Sequence, residues 1–145
     1  PLTNEPVCRA VSEISFFCRL NLNQKLDLPV RKSELGTLFY LHDTQEEITP
    51  VAVSEFLGIS RPCTTALLKR LESRGYISRK PSPVDGRSCT LSLTPCGVQL
   101  VIAAQKECGR TIDLLQKELG PERFRLLLEL IEESNAALRK NLRLR

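Results

Sequence analysis

Over residues 7–26, apolar side chains recur every three or four positions, as Val7, Ala10, Val11, Ile14, Phe17, Cys18 and Leu22. That spacing is the one-sided stripe of an amphipathic helix, and Pro29 ends it. A second helix is expected from Arg31 to Asp43, burying Leu35, Leu38 and Phe39, with His42 as a further candidate. The polar run "DTQEE" after it reads as a loop. Two short helices follow closely. The first opens at Thr49, whose hydroxyl suits an N-cap, and places Pro50 at the first helical position, where no amide donor is missed. Gly58 fits the left-handed position after the last turn. Ser60 caps the second short helix, expected from Arg61 to Arg74, with Pro62 tolerated in its first turn and Ala66, Leu67 and Leu71 on its buried side.

The period then changes from helical to alternating. "YISRK" and "CTLSL" read as two strands. Cys89, Leu91 and Leu93 face one way, and Thr90 and Ser92 the other. "PSPVDG" joins the strands. At "LTPCG" the helical period returns, with Thr94 as cap and Pro95 in the first position. Val101, Ala104, Cys108, Ile112, Leu115 and Leu119 carry it for about seven turns. Gly120-Pro121 breaks it, and a last helix carries Phe124, Leu127, Leu128, Ile131, Leu138 and Leu142 before the basic tail "RKNLRLR".

Two short helices joined by a tight glycine-containing turn are a helix-turn-helix, and a hairpin directly after it makes a winged helix. The expected class is mainly α with a small β-hairpin wing. Residues 31–94 form the winged-helix region, and residues 1–28 and 95–145 form flanking dimerisation helices. Those terminal helices are too apolar for the surface of a monomer. Val11, Ile14, Phe124, Leu128 and Ile131 are therefore expected between two copies of the chain, in a homodimer.

The 145 residues, 41% of them hydrophobic, suit one domain with a substantial core. A net charge of +4 points only weakly to a polyanion, but its distribution says more. Between Ser60 and Thr90 lie seven basic residues (Arg61, Lys69, Arg70, Arg74, Arg79, Lys80 and Arg87) against two acidic ones, Glu72 and Asp85. A basic segment on a near-neutral body is an electrostatic footprint for nucleic acid. No apolar run reaches the length of a membrane span, and no basic-then-apolar leader opens the chain, so a soluble cytoplasmic protein is expected. Enzyme signatures are missing: there is no nucleophile elbow, no phosphate-binding glycine loop, and His42 is the single histidine. The six cysteines include no C-x-x-C pair, so neither a metal nor a cofactor is expected. Several fall at apolar positions, where a reduced, buried thiol packs as a small hydrophobe.

The stretch "ITPVAVSEFLGISRPCTTALLKRLESRGYISRKPSPVDGRSCTLSLTPCG" resembles the winged-helix region of MarR-type transcription regulators. The Asp85-Gly86-Arg87 wing followed by the strand and "LTPCG" is its most telling part. The flanking helices agree in number and order, so the resemblance covers nearly the whole chain. It implies a homodimer with intertwined termini, a winged helix in each subunit, and effectors bound between the dimer helices and the winged helix. The hydroperoxide-sensing branch keeps a reactive cysteine near the start of the first helix, with tyrosine partners from the second. Here that helix offers Tyr40 alone.

Recognition of double-stranded DNA needs phosphate contacts to position the protein and base contacts to specify the site. The helix from Arg61 would enter the major groove N-terminus first. Ser60, Arg61, Thr64 and Thr65 then reach base edges or phosphates, and Arg61 suits guanine because its guanidinium can donate twice. Lys69 and Arg70 are expected on phosphates, as are Arg79, Lys80 and Ser88. Arg87, at the wing tip, is expected in the adjacent minor groove, where negative potential concentrates. Asp85 either orients an arginine by accepting its hydrogen bonds or only closes a turn with Gly86. For a small-molecule effector the polar groups of the crevice are Arg19, Tyr40 and His42, and Arg19 suits an anionic aromatic. The reading is a repressor on an inverted repeat, released by such an effector. Its rivals are a cysteine-based redox regulator and a winged helix used as a protein-interaction module.

Overall fold

The computed structural model describes residues 5–22, 26–82 and 86–141. Its elements run α1 (Glu5–Leu22), α2 (Lys32–Asp43), α3 (Pro50–Leu57), α4 (Arg61–Ser73), β1 (Ile77–Pro81), β2 (Cys89–Leu93), α5 (Pro95–Leu119) and α6 (Pro121–Asn141). This is the mainly helical architecture with one hairpin that the sequence pattern predicts. The first helix begins earlier than expected and is described only as far as Leu22. Leu142 lies outside the described residues.

Local chemistry sets the helix ends. The Thr49 hydroxyl accepts from the Ala52 amide at 3.2 Å, the Ser60 hydroxyl from Cys63 at 3.3 Å, and the Thr94 hydroxyl from Gly97 at 3.1 Å. Each satisfies a donor that helix geometry leaves orphaned. Gly58 has φ 64° and ends α3, and the amide of Ile59 reaches back to the Ser54 carbonyl at 3.2 Å. A left-handed residue here lets the chain reverse within three residues and start α4.

The core lies where α2, α3, α4, the hairpin and the start of α5 meet. Leu38, Val53, Leu68, Leu71 and Val101 are completely buried, with Ile48, Leu67, Ile77 and Leu91 around them. β1 and β2 are antiparallel, with Ile77 opposite Leu93 and Pro81 opposite Cys89. The polar loop after α2 adds a third rung, because the Leu91 amide donates to the Ile48 carbonyl at 2.8 Å. Alternation along β2 is incomplete: Thr90 is buried as well as Leu91, and both border a shallow cavity with Thr44 to Glu47.

Two burial expectations are corrected. On α4 the buried stripe is Thr64, Leu67, Leu68 and Leu71, and Ala66 is exposed. The leucine spacing fixes the rotation of the helix and turns position 66 outward. None of the six cysteines is buried: Cys8, Cys18, Cys63 and Cys96 are exposed, Cys89 and Cys108 half-buried, and all are free thiols.

Past Ala104, α5 leaves the core, and α6 buries no residue. On α1, Val11 is 61% and Ile14 63% exposed. Leu128 and Ile131 of α6 are also exposed, and Phe124 is half-buried. The apolar stripes of the terminal helices thus face outward from a single copy.

Candidate nucleic-acid interface

The buried stripe of α4 determines what its other side presents. Opposite Thr64, Leu67, Leu68 and Leu71 stand Pro62, Thr65, Ala66 and Lys69, all exposed, flanked by Arg61 and Cys63. The capped first turn, with Ser60 exposed beside it, leads this face. Thr65 ties its hydroxyl to the Arg61 carbonyl at 3.0 Å. Thr64, expected at base edges, is 2% exposed, and its hydroxyl donates to the Ser60 carbonyl at 3.0 Å. It faces the core and is withdrawn from the contact set. Ala66 takes its place in the middle of the exposed face. The sequence held only a partial signal: Thr64, Leu67, Leu68 and Leu71 form a three-four stripe, but Thr64 and Ala66 are both small enough for either side of a helix.

Arg70, expected on phosphates, has a partner inside the protein. Its Nε donates to Glu34 Oε1 of α2 at 2.8 Å. Glu34 is 1% exposed. Its other oxygen accepts from the Arg31 amide at 2.9 Å and lies 3.8 Å from the Arg74 guanidinium. Arg74 in turn donates to the Pro29 carbonyl, and its guanidinium lies 5.4 Å from the centre of the Tyr76 ring. Burial pushes the Glu34 carboxyl up. The Arg70 and Arg31 hydrogen bonds and the two arginine charges outweigh it, and the net result lies below the ordinary value. Two cations counted toward a basic face are therefore engaged by one buried carboxylate. Glu34 was missed because its two arginine side-chain partners lie far along the chain, at the end of α4.

Along the wing, Arg79 donates to Glu72 Oε2 at 2.8 Å, joining the first strand to the end of α4. Arg79 is thus partly committed, whereas Lys80 is exposed one residue on. The Ser82 amide donates to the Ser88 carbonyl at 3.0 Å and closes the hairpin. Ser88 is half-buried and Arg87 is exposed at the turn. Asp85 lies outside the described residues.

The three effector-site candidates have different surroundings. Arg19 is exposed on α1. The Tyr40 ring is stacked on Phe56 of α3, with centroids 4.2 Å apart and planes 3° from parallel. His42 is exposed and pairs with neighbouring Asp43 at 2.8 Å, so it is a surface residue at a helix end.

The MarR family model matches residues 26–88, from the approach to α2 through the wing. An HTH-type transcriptional regulator of Mycobacterium leprae, ML2140, is 31% identical over 113 residues, covering 73% of this chain and 78% of that protein. The chain belongs to the MarR family. Among solved structures, transcriptional regulator Tm0710 from Thermotoga maritima superposes with a TM-score of 0.62 at 25% identity, covering 95% of this chain and 97% of that one. A mutant of S. aureus MepR bound to an oligodeoxyribonucleotide shares the fold, with a TM-score of 0.57 at 23% identity over 95% of this chain and 99% of that one. MarR-family proteins are transcriptional regulators, not enzymes, and the winged helix is their DNA-binding unit. Among the described residues no helix is long and apolar enough to cross a membrane, and no cluster of potential ligands suits a metal ion.

Proposed function

We propose that this MarR-family chain is a homodimeric repressor that binds an inverted-repeat operator and is released by a small molecule. The observation that carries the DNA part is the exposed face of α4 opposite its buried stripe, with a basic hairpin beside it. On this reading Ser60, Arg61, Thr65, Ala66 and Lys69 enter the major groove. Arg61 pairs with guanine, and Ala66 meets the methyl group of a thymine. Lys80, Ser88 and, in part, Arg79 hold phosphates, and Arg87 enters the minor groove.

The dimer part rests on α1 and α6. Their outward stripes need cover, and a second copy supplies a self-complementary surface. The crevice between α1 and the winged helix would then be completed by that copy. Arg19 and Tyr40 are the polar groups left to line it, which suits an anionic aromatic ligand.

Selection of bound duplexes from a random pool, followed by sedimentation of the complex, tests the reading. An enriched inverted repeat carrying two chains is expected, with affinity falling steeply as salt rises. Enrichment of a single half-site by a monomer overturns the dimer. Weak binding without salt dependence favours a protein-interaction module instead.

A further inference from the structure

The recognition helix is held to the core by two kinds of contact. Leu67, Leu68 and Leu71 pack against it without directional preference. The Glu34 carboxylate adds the directional part. It is almost wholly buried on α2, holds Arg70 at 2.8 Å through a hydrogen bond, and lies 3.8 Å from Arg74. Both arginines keep solvent access, with side chains 41% and 39% exposed. Arg70 stands next to Lys69 and one turn beyond Ala66, at the edge of the outward face. Without Glu34, Arg70 at this edge would be at liberty to meet any phosphate, and Arg74 at the end of α4 would keep only its Pro29 and Tyr76 contacts.

We infer that Glu34 is a positioning residue for sequence discrimination: it fixes the orientation of α4 through Arg70 and withholds Arg70 and Arg74 from indiscriminate phosphate contact. Affinity for any DNA rises with the number of phosphates neutralised, whereas discrimination comes from base edges. A buried carboxylate that engages two arginines of the recognition helix lowers the first and preserves the geometry needed for the second. The inference rests on the proposed DNA reading for its ligand and goes beyond it in assigning a residue that faces away from DNA. If Glu34 only stabilised the fold, its loss would reduce binding to every duplex by the same factor.

The test measures binding of the full chain to its selected operator and to a random duplex of equal length, across a potassium chloride series. For Glu34→Gln, random-duplex affinity is expected to rise about three- to tenfold, with a salt slope steeper by about 1 to 2. Operator affinity is expected to fall, so that the operator-to-random ratio drops about tenfold or more. Equal losses on both duplexes overturn the inference. A second variant covers the case in which Glu34→Gln folds poorly. In the Arg70→Gln/Arg74→Gln double variant, the random-duplex salt slope is expected to equal that of the unaltered chain, because the two cations do not contact phosphate there. A shallower slope overturns the inference. Failure of the unaltered chain to prefer any duplex overturns the DNA-regulator reading itself.

Discussion

Gly97 of α5 lies against the backbone of Tyr76, so close that a Cβ at position 97 would fall 2.1 Å from the Tyr76 carbonyl oxygen. That carbonyl is occupied, because it accepts from the Thr94 amide at 3.1 Å, and the Thr94 hydroxyl donates to the Gly75 carbonyl. The glycine of "LTPCG" is therefore a packing requirement. It allows the first turn of α5 to sit on the junction between α4 and β1, and so joins α5 to the winged helix.

Replacing Gly97 with Ala forces that junction apart. The expected loss is about 2–3 kcal/mol, the upper range for overpacking, because the clash is with backbone that cannot rotate away. A urea titration checks it: the midpoint should fall with the slope unchanged. An unaltered midpoint would show that α5 shifts freely at this point.

Glu34 predicts a pH dependence of stability. Burial raises its pKa, but the hydrogen bonds from Arg70 and the Arg31 amide and the charges of Arg70 and Arg74 prevail, so its folded value lies below the ordinary 4.5. The unfolded chain takes up the proton first, so the stabilisation is present above about pH 4.5 and is lost as pH falls through the lowered value. Glu34→Gln should flatten the stability profile between about pH 5 and pH 3. At neutral pH the same change should cost about 2 kcal/mol, less than for a fully buried pair because Arg70 is partly solvated. Parallel acid dependence in both proteins would show that the pair contributes nothing.

Arg87 and Lys80 should fail differently. Arg87→Ala is expected to weaken operator binding by about 1–3 kcal/mol, the scale of one good specific contact. Lys80→Ala is expected to weaken binding to all sequences alike and to make the salt slope shallower by about 1. Anisotropy titrations on operator and random duplex separate the two. Sedimentation should show both variants still assembled as the unaltered chain is.

Cys63 is exposed in the first turn of α4, beside the face assigned to DNA. Alkylation there adds bulk against a groove edge, so thiol reagents are expected to block operator binding without any change of fold. Cys63→Ser should bind normally and resist the reagents. If peroxide still releases Cys63→Ser from its operator, and Cys8→Ser or Cys18→Ser then abolishes that release, a redox trigger replaces the small molecule.

Most of the architecture was legible because it rests on short-range rules. Caps at Thr49, Ser60 and Thr94, the left-handed glycine at position 58, and the change of period at the wing each involve residues within a few positions of one another. The exposed apolar stripes of α1 and α6 follow from periodicity alone.

What depended on distant segments was not legible. The basic count between Ser60 and Thr90 treats Arg70, Arg74 and Arg79 like Lys80. Folding brings the buried Glu34 to the first two, and a charge beside a buried carboxylate is no longer a free surface charge; Arg79 pairs with the exposed Glu72 seven positions before it. Thr64 and Ala66 exchange roles for a related reason: both are small and suit either side of a helix, so the core contacts of Leu68 and Leu71 decide between them. Sequence by itself determined a winged helix with unpartnered flanking helices, because backbone capping and apolar period are local. Only the tertiary structure decided which face of α4 is presented and which of its cations remain available, because those depend on side chains that meet through space.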